Sequence, residues 1–141
     1  MSDEGNVFTG GCLCGAIRYR AEGPPKRVTI CHCSTCRRAG GGAFLTAAAF
    51  DPAKLVYTKG EPKGYASSAQ LTRTFCPECG TPLGYRYTDG EAAGVWTGTL
   101  DDPEALKPMR HIWTSSQLSW LHLEDDLPRF AQGAARPDAK A

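Results

Sequence analysis

The apolar and polar positions of this chain alternate in short stretches that point to strands rather than to amphipathic helices. Ala16-Ile17-Arg18-Tyr19-Arg20 alternates with period two after a glycine-rich opening, so Val7 to Tyr19 reads as a hairpin. Val28-Thr29-Ile30 is a β-branched run that follows the break at Gly23-Pro24-Pro25. Ala43 to Phe50 is almost wholly apolar, and the flanking glycines and Asp51-Pro52 favour a strand buried on both faces. Leu55 to Thr58, Gln70 to Phe75, Leu83 to Tyr87, Val95 to Leu100 and His111 to Trp113 read as further strands. Asp101 to Glu104 opens a turn or helix, and Trp120 is expected to pack inside. The period changes only after Ile30, where Cys33 or Ser34 is placed to cap a short helical turn ended by Gly40-Gly41-Gly42.

These elements predict a mainly β fold: a single domain of small antiparallel sheets with short helical turns, over residues 1–130. Residues 131–141, rich in alanine, are expected to form a frayed tail. Leu, Ile, Val and Phe together number only 23 among 141 residues, so the core is thin and calls for a staple. A net charge of +1 removes the electrostatic case for nucleic acid or an anionic membrane as partner. No apolar run approaches the length of a membrane span.

The seven cysteines supply the staple, and they fall in three clusters: Cys12 and Cys14; Cys31, Cys33 and Cys36; Cys76 and Cys79. Met-Ser-Asp-Glu-Gly-Asn at the start has neither a basic flank nor an apolar run, so a cytoplasmic location is expected. Reduced, clustered thiols in such a compartment favour metal over disulfides. The local trio can meet one ion alone, which leaves Cys12 and Cys14 to join the Cys76-Pro77-Glu78-Cys79-Gly80 knuckle. Other partitions remain open, among them Cys33 and Cys36 with the knuckle. Thiolate ligation points to zinc, with iron as the alternative, and to two zinc ions per chain.

The two sets differ in chemistry. Four thiolates close a tetrahedral site, whereas three leave a position for water or a substrate atom. Three thiolates also leave a dication at a formal charge of −1, a weak acidifier of water whose natural fourth ligand is another soft anion. A thiol is therefore the expected substrate class. Closure of the second site by His32, His111 or a backbone group would instead make it structural. Arg37 and Arg38, beside the ligands, are candidates for a carboxylate or for a solvated helix face.

Gly-Gly-Cys-Leu-Cys-Gly-Ala-Ile-Arg-Tyr at 10–19, Cys-His-Cys-Ser-Thr-Cys-Arg at 31–37 and Phe-Cys-Pro-Glu-Cys-Gly-Thr-Pro-Leu at 75–83 resemble the glutathione-dependent formaldehyde-activating enzymes and centromere protein V-like proteins. The resemblance spans roughly residues 8 to 130 and includes His111, Ile112 and Trp120. It implies a zinc-held, β-tent-like fold shared with methionine-R-sulfoxide reductases. It also implies structural zinc on Cys12, Cys14, Cys76 and Cys79, and catalytic zinc on Cys31, Cys33 and Cys36. The implied reaction joins a thiol such as glutathione to a small aldehyde, a carbon–sulfur lyase chemistry. A zinc-stapled binding module without turnover is the alternative.

Overall fold

A computed structural model describes residues 6–133. In chain order the strands are β1 (Val7–Gly11), β2 (Arg18–Glu22), β3 (Arg27–Cys31), β4 (Leu45–Phe50), β5 (Leu55–Lys59), β6 (Lys63–Ala66), β7 (Leu71–Phe75), β8 (Pro82–Tyr87), β9 (Ala93–Trp96) and β10 (Arg110–Ile112). One helix, α1 (Ser34–Gly40), and several 3-10 turns complete a mainly β chain of small sheets. The chain folds as two compact units, and it passes between them inside β3, inside β4 and after Lys107.

The first unit holds, among the described residues, 6–28 and 47–107. Its opening hairpin pairs Gly11 with Arg18, so Cys12 and Cys14 fall in the connection, and β2 pairs in turn with β5. Strands β4, β9, β8, β7 and β6 lie side by side in that order, with each pair from β4–β9 to β6–β7 antiparallel. Alternation in β2 turns Tyr19 and Ala21 inward, where they meet Val28, Phe50, Leu55, Val95 and Leu100. The apolar run is buried on both faces only in its second half, from Ala48 to Phe50. The strand expected to reach Leu100 stops at Trp96, because residues Thr97–Thr99 form a 3-10 turn that bridges Leu100 back to Gly10. Strand β6 shows no alternation to read, since all four of its residues are exposed at a sheet edge.

A buried ion pair also holds this unit. Arg27 donates two hydrogen bonds to Glu91, at 3.0 and 2.6 Å, and Lys26 adds a third contact at 3.2 Å. Those bonds draw the Glu91 carboxyl down to about 2, the Arg27 bond acting most strongly.

The second unit holds, among the described residues, 29–46 and 108–133. Strand β10 lies parallel to β3, with His111 opposite Ile30 and Ile112 opposite Cys31, a parallel pair within an otherwise antiparallel set of named pairings. The far side of β10 is covered by the strap after it: His111 N–H donates to Pro128 O, and Phe130 N–H donates to His111 O. Further bonds from Trp113, Thr114 and Ser115 hold the backbone as far as Gln132. Residues 134–141, in the expected frayed tail, lie outside the described residues. Trp120, expected to pack inside, is 67% exposed. It sits in an irregular stretch where no strand pairing turns it inward.

Candidate metal centres

The first centre is built from two backbone turns of similar design. In one, Cys12 N–H donates to Ile17 O and Gly15 N–H donates to Cys12 O. In the other, Cys76 N–H donates to Thr81 O and Gly80 N–H donates to Cys76 O. Each turn needs a left-handed residue, and Gly15 and Gly80 supply it with φ near 81°. The turns aim amide hydrogens at sulfur: Ile17 N–H at Cys12 (3.2 Å), Glu78 and Cys79 N–H at Cys76 (3.3 and 3.4 Å). At Cys12, burial raises the thiol but the Ile17 N–H bond and the neighbouring sulfurs bring it down on balance.

The four sulfurs of Cys12, Cys14, Cys76 and Cys79 lie within 4.8 Å of one another. Cys12 and Cys14 are 3.6 Å apart, Cys14 and Cys76 3.8 Å. A tetrahedral ion with metal–sulfur bonds of about 2.3 Å spaces its sulfurs by roughly 3.8 Å, so the donor set fits a dication such as zinc. Cys12 and Cys76 are buried among Ile17 and Leu83, while Cys14 and Cys79 face solvent. Thr81, inside the 75–83 motif, carries a role that cysteine spacing does not mark. Its hydroxyl lies 3.1 Å from the Cys79 sulfur, brings that thiol down to about 5, and accepts a bond from Leu13 N–H. It thereby ties the two turns together.

The second centre lies at the junction of β3 and α1. The sulfurs of Cys31, Cys33 and Cys36 also lie within 4.8 Å of one another, with Cys31 and Cys33 3.4 Å apart. Cys33, not Ser34, caps the helix: its sulfur accepts from Cys36 N–H at 3.3 Å. The helix ends at Gly41, within the glycine run. Bonds from Cys31 and then Cys36 pull the Cys33 thiol down, and the same bond to Cys33 pushes Cys31 up. One sulfur is thus predisposed to be a thiolate. Three sulfurs with this spacing also fit a thiophilic dication.

His32 stands between two of these cysteines and is fully buried. Its ring lies against that of His111, with His32 Nε2 and His111 Nδ1 2.9 Å apart. His111 Nε2 in turn meets Asp125 Oδ2 at 2.8 Å. Burial pushes the His32 imidazole down, helped by His111, Arg129 and Arg37, whereas the His111 bond draws the Asp125 carboxyl down. Arg37 is committed to the backbone, donating from Nη1 to His32 O (2.5 Å) and Ser116 O (2.6 Å). Arg38 stays exposed on the helix face. Asp125 had no motif to mark it in the acidic run 124–126. No helix of the described residues is long and apolar enough to cross a membrane.

Residues 7–116 match the family model described as glutathione-dependent formaldehyde-activating enzyme. A Schizosaccharomyces pombe protein named an uncharacterized lyase is 34% identical over 84 residues, 60% of this chain. The match spans 61% of that relative's length. A Halomonas elongata protein, provisionally named a glutathione-dependent formaldehyde-activating enzyme, is 28% identical over 84% of this chain and 82% of its own. A crystal structure of a Rhodobacter sphaeroides protein superposes with a TM-score of 0.56 at 25% identity, covering 71% of this chain and 91% of that one.

Proposed function

This chain belongs to the glutathione-dependent formaldehyde-activating enzyme family, and from that premise we propose a zinc-dependent carbon–sulfur lyase acting on a thiol such as glutathione and a small aldehyde. The observation that carries the reading is the division of seven sulfurs into one set of four and one of three, each gathered within 4.8 Å. Cys12, Cys14, Cys76 and Cys79 hold a structural ion, and Cys31, Cys33 and Cys36 hold the catalytic one. Zinc held by these three thiolates would supply a soft Lewis acid suited to a thiol.

The protein's own groups do the rest. Cys33 at the helix start and Cys31 at the strand end fix two sulfurs 3.4 Å apart, and Arg37 pins the backbone between them. In the addition, the thiol sulfur bonds to the carbonyl carbon and the C=O π pair moves to oxygen. The thiol proton ends on that oxygen, and nothing is oxidised or reduced. Holding both reactants at one point converts a bimolecular step into a local one. Seven reduced thiols suit a reducing compartment such as the cytoplasm.

The test is metal analysis combined with turnover. Chain purified from zinc-supplemented cells should carry two zinc ions and accelerate glutathione–formaldehyde addition above the spontaneous rate. Cys36→Ala should carry one and fall to background. Two zinc ions with only the background rate, across a panel of thiols and aldehydes, would overturn the enzyme reading in favour of a binding module.

A further inference from the structure

His32 is the residue between two of the three sulfurs, so any rotation of its backbone moves both. The structure fixes it from every side. Its N–H donates to Ile112 O at 3.1 Å, its carbonyl accepts from Arg37 at 2.5 Å, and its ring is held by His111, itself fully buried. The polarity of that last link is set from the protein surface. The Asp125 carboxylate can only accept, so His111 Nε2 carries the hydrogen and donates. In the tautomer with its hydrogen on Nε2, His111 presents a bare Nδ1 to which His32 Nε2 donates. His32 Nδ1 is left as a lone pair, and it has no partner although it is buried. An unpartnered acceptor costs less than an orphaned N–H, so the direction of the chain matters.

Two apolar side chains would fill this space without burying polar atoms. A satisfied polar chain instead selects one arrangement of its members, since a shifted ring loses hydrogen bonds in a low dielectric. We propose that Asp125 and His111 are positioning residues for the three-cysteine centre, acting through His32 to preset the sulfurs of Cys31 and Cys33 for metal. The inference rests on reading that centre as a metal site. It assigns the chain no contact with substrate. Outer partners of metal ligands usually act on a ligand directly; here they act on the residue between two ligands.

The experiment compares the full-length chain with His111→Leu, His111→Gln, Asp125→Ala and Asp125→Asn. Zinc affinity is read by chelator competition, and the tautomer of His32 by imidazole nitrogen NMR. Glutamine keeps an acceptor for His32 and a donor for Asp125, and asparagine keeps an acceptor for His111 but adds a donor that can reverse the chain, whereas leucine and alanine remove the link. One of the two zinc ions should bind about tenfold or more weakly in His111→Leu and Asp125→Ala. His111→Gln should stay in the wild-type range, and Asp125→Asn should fall between wild type and Asp125→Ala. Wild type should show His32 with its hydrogen on Nε2, and Asp125→Ala should shift population to Nδ1. Wild-type affinity in Asp125→Ala overturns the proposal, as does a His111→Gln chain as weak as His111→Leu. The Asp125 pair decides the matter if His111→Leu does not fold, because Asp125 lies at the exposed end of the chain. A wild-type chain that binds a single zinc overturns this inference and the enzyme reading together. Two zinc ions without thiol–aldehyde turnover overturn the enzyme reading alone.

Discussion

The four sulfurs of the first centre grow out of two glycine-closed turns packed on Ile17 and Leu83, whereas the three of the second sit at a strand end and a helix start backed by a polar chain. In the first centre, two sulfurs belong to the apolar core, and the loops they join are far apart in sequence. Metal bound there would be coupled to folding of the surrounding unit. In the second centre, all three ligands lie within six residues, so an ion there closes no long loop. A hydrogen-bonded polar chain stands beside that centre, next to the buried strand end at Cys31. Where a site sits in the core decides whether metal loss reads out as unfolding or as lost chemistry.

The sharpest way to break this contrast is to remove one sulfur from each centre. Cys76→Ala should abolish cooperative unfolding of the first unit, because it deletes a fully buried ligand and the acceptor of two amide bonds. Circular dichroism melting with metal analysis checks this, and a cooperative melt near wild type would refute the core-bound picture. Cys36→Ala, by contrast, belongs near the small end of the scale.

Between them comes Glu91→Gln, which separates the ion pair from the metal as an anchor of the first unit. Its folded value of about 2 lies below the ordinary 4.5, so ionised Glu91 stabilises the fold above 4.5 and that contribution is lost as pH falls toward 2. The substitution should cost about 3 kcal/mol near neutral pH. The melting gap from wild type should narrow as the solution is acidified. A gap that is constant with pH would show that the carboxylate charge is not what stabilises.

Cys36→Ala should cost about 1–2 kcal/mol of stability while removing one zinc and the thiol–aldehyde acceleration. Unfolding as severe as that of Cys76→Ala would erase the distinction between the centres. The smallest effect is expected for Thr81→Val, which removes the hydroxyl bonded to Cys79 and to Leu13 N–H. It should cost roughly 1 kcal/mol and weaken the first zinc, leaving the second unchanged in chelator competition.

Much of this was legible in the residues themselves. Cys-x-Cys and Cys-x-x-Cys followed by glycine specify local turns, because the covalent spacing and a left-handed glycine leave few other ways to bring two sulfurs together. Alternation likewise marked Arg18 to Arg20 as part of a strand. Long-range choices were another matter. Residue type does not encode that β10 runs parallel to β3, which is what sets His111 beside His32. The strand ending at Trp96 and the exposure of Trp120 likewise depend on neighbours distant in sequence. Asp125 carries no signal in an acidic run, and it acquires a partner only when the strap at 128–132 folds back along β10. The sequence by itself determined which atoms could bind metal, because ligand chemistry is a property of side chains. Only the tertiary structure decided what backs each centre, because packing and hydrogen-bond direction are properties of the pairs that folding creates.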